Sequence, residues 1–166
     1  MVNWGIIGLG NMATKFAESI TEVENASLKA IASRDINRLN GFGDRFNINK
    51  KYRFNSYDEI LNCGLIDSVY ISTLNNTHAD IIIKTAKARK NILCEKPATT
   101  NYKDAKKVFE ILSKADIFFL EAIAYRTHKQ TQFIIKKIKE NEIGEIKKIE
   151  STFGFLVRKI CNLLPS

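Results

Sequence analysis

Two periodicities alternate along the first 124 residues of the chain. Short apolar runs, typical of strands buried on both faces of a sheet, are followed by segments with one apolar helical face. In the first such segment Ala13, Phe16, Ala17 and Ile20 recur at the i, i+3, i+4 and i+7 spacing of a helix. The runs predict strands at residues 2–7, 27–33, 52–54, 66–72, 91–94 and 117–123. This alternation predicts an α/β fold with a doubly wound parallel sheet, whose strands all end at one edge.

The pattern changes beyond residue 124. Phe133, Ile134 and Ile138 predict another helix, and the alternation over residues 146–155 predicts a strand of an antiparallel sheet. The chain then ends within a few residues. We therefore predict a complete domain over residues 1–124, followed over residues 125–166 by only the first helix and strand of a second α/β domain.

A glycine turn joins the first predicted strand to the first predicted helix. It reads Gly8-Leu9-Gly10-Asn11-Met12-Ala13, a G-x-G-x-x-A pattern. Gly8 permits the tight turn, Gly10 lets a pyrophosphate approach the backbone, and the small Ala13 lets the helix pack closely. The helix N-terminus offers free N–H groups and a partial positive charge to phosphates. The pattern favours a dinucleotide site over a glycine turn in some other α/β protein.

The end of the second predicted strand bears on which dinucleotide is bound. An NAD site usually carries an acidic residue there for the ribose hydroxyls, whereas this chain has Ser33 and then Arg34. A hydroxyl and a guanidinium suit a 2′-phosphate, which arginine can bind bidentately. Asp35 is interpreted as the N-cap of the next helix. The corner favours NADP, with NAD as the alternative.

Composition narrows the function classes. The formal charge of +8 comes from lysines on predicted helix faces, without the interleaved aromatic residues of a nucleic-acid-binding surface. No apolar run reaches the roughly 18 residues of a membrane span. Cys63, Cys94 and Cys161 have neither metal-ligand nor disulfide-framework spacing. With a strand at its very start the chain shows no signal peptide, so we expect a cytoplasmic protein without metal, nucleic acid or membrane partners.

Four segments together resemble the Gfo/Idh/MocA oxidoreductases. They read WGIIGLGNMA, STLNNTHAD, ILCEKPATT and EAIAYRTHKQT, and the resemblance covers about residues 2–155. It implies a Rossmann domain that binds a nicotinamide cofactor over residues 1–124. It also implies that residues 125–166 begin a domain for a sugar-, cyclitol- or diol-like substrate. The implied activity is hydride transfer between the cofactor and an alcohol or carbonyl.

The resemblance also implies roles for individual residues. It assigns the pyrophosphate to Gly8, Gly10, Asn11 and Met12, the cofactor path to Thr73, Asn75 and His78, and the nicotinamide end to Glu95, Lys96 and Arg126. Lys96 is the expected catalytic residue, because a buried lysine can take the alcohol proton or stabilise the alkoxide. The alternatives are a surface role for Lys96 and a structural role for His78. His128 stays open between a role beside the substrate and a structural role.

Two positions depart from the family pattern, and the short C-terminus raises a further question. Leu74 and Lys129 stand where many members have proline, which predicts a looser loop at 74 and an undefined helix start at 129. Because little of a second domain follows, we expect cofactor binding with weak turnover unless another chain completes the site. A non-catalytic nucleotide-binding or regulatory module is the alternative function, and homo-oligomerisation stays open.

Overall fold

The structure is a computed structural model that describes residues 1–152 and residue 154. It divides into two compact units, Met1–Ile123 and the part that begins at Ala124, which are described separately.

The first unit is built on a six-stranded sheet in the order β3-β2-β1-β4-β5-β6, with every neighbouring pair parallel. The strands are β1 (Val2–Ile7), β2 (Ala26–Ala32), β3 (Arg53–Phe54), β4 (Ser68–Ile71), β5 (Asn91–Cys94) and β6 (Phe119–Glu121). The chain moves outward from β1 through β2 and β3, then returns to β4 on the other side of β1. The predicted doubly wound fold is confirmed, and the order reverses between β1 and β4, where α/β sheets bind ligands.

Helices cover both faces of this sheet. They are α1 (Asn11–Ile20), α2 (Ile36–Arg45), α3 (Tyr57–Leu61), α4 (His78–Lys87) and α5 (Tyr102–Leu112). Successive strand residues point to opposite faces, so Ile6 joins the core formed with α1 and α2, whereas Ile7 joins the core formed with α3, α4 and α5. This double burial explains the continuous apolar runs in the sequence.

Strands β4 and β6 are shorter than predicted. β6 pairs only over three residues, Phe119–Glu121, with Ile92–Cys94 of β5. An apolar run predicts where a strand can form, but the length of the neighbouring strand decides how far the pairing extends. The predicted strand ends at residues 72 and 123 are therefore wrong.

Helix α2 is continuous through two glycines that, in an exposed helix, each cost about 1 kcal/mol relative to alanine. A Cβ on Gly43 would overlap the guanidinium of Arg53, which donates to the Ile48 carbonyl at 2.8 Å and to Asp44 at 2.6 Å. Gly43 is therefore explained by the close approach of a buried arginine rather than by a break in the helix.

The second unit contains α6 (Ala124–Thr127) and α7 (Lys129–Lys139). The predicted helix over residues 133–138 is confirmed, but the predicted strand over 146–155 is wrong for residues 146–152, which form no strand. Phe153 and Phe155 lie outside the described residues. A strand needs a neighbour for its N–H and C=O groups, and the part of this unit that is described supplies none. Among all described residues, no helix has the length and apolar character needed to cross a membrane.

Candidate cofactor site at the carboxyl edge of the sheet

The turn after β1 is pressed against the loop after β4. Gly8 has φ 87°, and a Cβ there would lie 2.7 Å from Cγ2 of Thr73 and 2.8 Å from the Ser72 carbonyl oxygen. The Ser72 hydroxyl donates to the Gly8 carbonyl at 2.8 Å. Glycine is required at position 8 by both backbone conformation and contact.

Gly10 differs, because no described residue requires its lack of a side chain. Its backbone is extended, with φ −90° and ψ −166°, and a Cβ would meet no atom of the described residues within 4 Å. Gly10 is the N-cap of α1 and provides no side-chain hydrogen bond, and Asn11 and Met12 are exposed. By contrast, Asp35 caps α2 and Asn101 caps α5. The open space before an uncapped helix fits a phosphate that approaches the backbone.

The corner after β2 holds three polar residues in defined roles. Ser33 is 5% exposed and its hydroxyl accepts the Asp35 N–H at 3.2 Å. The Asp35 carboxylate accepts the N–H groups of Asn37 and Arg38, both at 3.0 Å, which confirms it as the helix cap. The exposed Arg34 guanidinium lies 4.8 Å from the centre of the Tyr57 ring. Arg34 is therefore accessible to a ligand at the corner after β2, while the Asp35 carboxylate is engaged by its own helix.

The loop after β4 is ordered by its own side chains. The Thr77 hydroxyl lies 2.8 Å from that of Thr73 and donates to the Leu74 carbonyl at 2.7 Å. Leu74 has φ −69°, the value that proline adopts, so leucine keeps the backbone conformation that proline would have there. Asn75 is exposed and begins a short 3-10 helix, Asn75–Thr77.

His78 lies behind this surface rather than on it. It is 0% exposed, with Nδ1 2.8 Å from the Pro97 carbonyl oxygen and Nε2 3.1 Å from the Thr73 carbonyl oxygen. The expectation that His78 lines the cofactor path is corrected accordingly, because the ring presents no surface to a ligand. It joins the loops after β4 and β5 instead.

The segment after β5 carries two of the three residues assigned to the nicotinamide end. Glu95 is half-buried and accepts the Tyr70 hydroxyl at 2.6 Å, whereas Lys96 is exposed. Burial and then the hydrogen bond to Glu95 raise the pKa of Tyr70 well above its usual range, so Tyr70 stays a donor. The sequence analysis missed Tyr70, although a tyrosine in an otherwise aliphatic strand signals a buried hydroxyl that needs a partner.

Cys94, at the end of β5, is a core residue as expected. It is 0% exposed, and burial, followed by the charges of Glu121 and Glu95, raises the pKa of its thiol to about 12. The thiol is thus kept protonated and unreactive.

Two predicted residues belong to the second unit. Arg126 is exposed on α6, and its role in the site stays a prediction. His128 is the N-cap of α7, with Nδ1 accepting the Gln130 N–H at 3.2 Å. This cap defines the helix start, with Lys129 in the first helical position where proline is also common.

The site is an open edge of the sheet. Cavities of about 480 Å³ and 260 Å³ lie elsewhere, beside the C-terminal end of α2 and between α1 and β2. Within the described residues no group of three metal-ligating side chains occurs. The arrangement suits an extended anionic molecule lying across the strand ends, with phosphates at α1 and its two halves on either side of β1.

Comparisons with known proteins agree with this geometry. A 34% identical uncharacterised oxidoreductase of Rhizobium meliloti aligns over 154 residues, 92% of this chain and 46% of that protein. D-xylose 1-dehydrogenase (NADP(+)) 2 of Haloferax volcanii is 30% identical over 152 residues, again 92% of this chain and 46% of that protein. The chain thus spans about half the length of these curated relatives.

A solved structure shares the fold. Scyllo-inositol dehydrogenase from Lactobacillus casei, with bound NAD(H) and scyllo-inositol, superposes with a TM-score of 0.82 at 21% identity, covering 87% of this chain and 43% of that one. The sequence model described as "Oxidoreductase family, NAD-binding Rossmann fold" matches residues 2–122. Because the match covers well over half of this chain, the chain belongs to the Gfo/Idh/MocA oxidoreductase family.

Proposed function

We propose that the chain binds NADP at the carboxyl edge of its sheet. We further propose that Lys96 takes part in hydride transfer between the nicotinamide and a sugar-, cyclitol- or diol-like alcohol or carbonyl. The observation that carries the proposal is the turn at Gly8–Met12. Its second glycine has open space where a Cβ would be, and its helix begins without a side-chain cap.

The chain's residues divide the binding work along the edge. The N–H groups of Asn11 and Met12 hold the pyrophosphate, and Gly8 shapes the turn beneath it. Arg34 binds the 2′-phosphate on the β2 side, because its guanidinium is exposed and Asp35 is already engaged as a cap. Thr73, Asn75 and Glu95 contribute on the side of β4 and β5, and a contact of Arg126 with the nicotinamide end remains what the family resemblance predicts.

In the proposed reaction one lysine handles the proton of the substrate alcohol. When bound, NADP supplies the acceptor for the hydride. Oxidation of an alcohol also releases the hydroxyl proton, and Lys96, at the end of β5, receives it or stabilises the alkoxide through its ammonium. In reduction of a carbonyl the same ammonium donates the proton to the oxygen.

The substrate class follows from what the relatives are named for. The Haloferax protein is named for D-xylose and the Lactobacillus structure contains scyllo-inositol. Both are polyhydroxylated rings with a secondary alcohol or hemiacetal carbon to oxidise. We propose a substrate of the same chemistry for the protein to which this chain belongs.

Cofactor binding and turnover test the proposal separately. Fluorescence titrations with NADPH and NADH should show saturable binding, tighter for NADPH. Oxidation of a panel of sugars, cyclitols and diols is then followed through NADPH absorbance, with Lys96→Met beside the unchanged chain and the mass in solution measured.

Three outcomes are distinguishable. Binding with turnover that Lys96→Met abolishes supports the enzyme. Binding without turnover supports the alternative, a nucleotide-binding module. The exposure of Lys96 in the described part of the chain favours this alternative. Absence of binding by either cofactor contradicts both.

A further inference from the structure

The residues on both sides of Lys96 are bonded to side chains from three other elements, one through the Glu95 carboxylate and two through the backbone. On one side of it, the Tyr70 hydroxyl of β4 donates to Oε1 of Glu95 at 2.6 Å. On the other side, Nδ1 of His78, the first residue of α4, lies 2.8 Å from the Pro97 carbonyl oxygen. One residue further, Oε1 of Glu121 in β6 accepts the Ala98 N–H at 2.7 Å.

Lys96 itself is left free by the same arrangement. Its side chain is exposed, and in the described part of the chain no hydrogen bond or ion pair is made by its ammonium. Each neighbour thus has a partner that restricts it, whereas the lysine retains its rotamer freedom above a fixed backbone. A fixed origin limits the positions that the ammonium can reach, which matters when a catalytic group must be held within about 0.5 Å.

Glu121 is the most informative of the three partners. The parallel register sets it opposite Cys94, so β6 delivers a carboxylate to the start of the β5–α5 loop. A carboxylate that accepts a backbone N–H makes a charge-assisted bond, stronger than a neutral one. Its charge also contributes to the raised pKa of Cys94, which shows that it lies close to the end of β5.

We propose that Glu121 is a positioning residue, which holds the backbone after Lys96 so that the lysine meets the nicotinamide half of the cofactor. This inference rests on the proposed function. His78 reinforces the same loop from α4 and links it to the loop after β4 through the Thr73 carbonyl. A role confined to fold stability would affect both halves of the cofactor alike, whereas a positioning role affects the nicotinamide half alone.

Two ligands and two variants separate these roles. NADPH reports on the whole cofactor, and adenosine 2′,5′-bisphosphate reports on the half that lies on the β2 side. Glu121→Gln keeps an acceptor without the charge, and Glu121→Met removes the acceptor at similar size. We expect NADPH affinity to fall about threefold in the Gln variant and about tenfold in the Met variant, with bisphosphate affinity unchanged.

The controls keep the test decisive. Thermal unfolding by circular dichroism shows whether each variant is folded, and if the Met variant is not, the Gln variant decides alone. Equal losses for both ligands, or unchanged NADPH affinity in the folded variants, would overturn the positioning role. If the unchanged chain binds neither ligand, the proposed function itself fails. This result is recognised from the unchanged chain alone and is therefore distinct from a failure of the positioning role.

Discussion

The turn after β1 and the loop after β5 stand at the same edge of the sheet but are built in opposite ways. The β1 turn presents bare backbone, with glycine at positions 8 and 10 and no side-chain cap on α1. The β5 loop presents the exposed side chain of Lys96, next to backbone groups bonded to His78 and Glu121 and to a Glu95 carboxylate bonded to Tyr70. Phosphate is bound by N–H groups that need open space, whereas proton transfer needs a single side chain with a fixed origin.

Gly8→Ala should produce the largest effect, because it disrupts the close contact between the β1 turn and the loop after β4. The new Cβ would lie 2.7 Å from Thr73 and 2.8 Å from the Ser72 carbonyl at a φ of 87°. We expect the free energy of unfolding to fall by about 2–4 kcal/mol, measured by urea denaturation.

The matched control for Gly8→Ala is Gly41→Ala. Gly41 lies in α2, and a Cβ there would meet nothing within 4 Å. This variant should gain up to about 1 kcal/mol of stability. Similar losses in both variants would show that the close approach of the two loops is not what requires glycine at position 8.

Gly10→Val should separate binding from stability. The protein leaves space at this Cβ and the backbone is extended, so stability should change by less than about 1 kcal/mol. The side chain would occupy the path of the pyrophosphate, and NADPH affinity should fall at least about tenfold by fluorescence titration. A folded Gly10→Val variant that binds NADPH normally would show that this turn is not a nucleotide site.

Arg34→Ala should reveal the choice between the two cofactors. If the exposed guanidinium binds the 2′-phosphate as proposed, its removal should weaken NADPH binding about threefold to tenfold and leave NADH binding unchanged. Arg45→Ala is the matched control, because Arg45 ends α2 and pairs with Glu18 at 2.6 Å. Equal effects of the Arg34 variant on both cofactors would contradict a 2′-phosphate contact.

The smallest effect is a loss of stability at alkaline pH. The thiol of Cys94 has its pKa raised from 9.0 to about 12 in the folded protein, mainly by burial. Between these values the folded state binds more protons than the unfolded state. Its contribution is therefore fully present below about pH 9 and is lost as the pH rises toward 12.

Cys94→Ala should reduce the loss of stability between about pH 9 and pH 10 by on the order of 1 kcal/mol. The half-buried Cys63, replaced by alanine, provides the matched control. Urea denaturation of all three proteins at a series of pH values measures the slopes. A slope that Cys94→Ala leaves unchanged would show that this thiol is not protected from ionisation.

The features that sequence predicted correctly are local ones. The apolar runs, the glycine turn and the Asp35 cap each involve residues within a few positions, and such short-range patterns follow from the periods of strand and helix. The strand predicted over residues 146–155 shows the limit of this reasoning. Alternation supplies an apolar face, but a strand forms only where a neighbour satisfies its backbone, and over residues 146–152 the described chain has none.

The polar contacts around Lys96 were decided by tertiary structure alone. Tyr70 and Glu95 are 25 positions apart, His78 and Pro97 are 19 apart, and Ala98 and Glu121 are 23 apart. Their meeting depends on strand order and register, which no short-range period encodes. The sequence by itself thus determined the family, the fold and the position of the glycine turn. Only the packed sheet decided that His78 is buried behind the site, and that Glu121 supports the loop of Lys96.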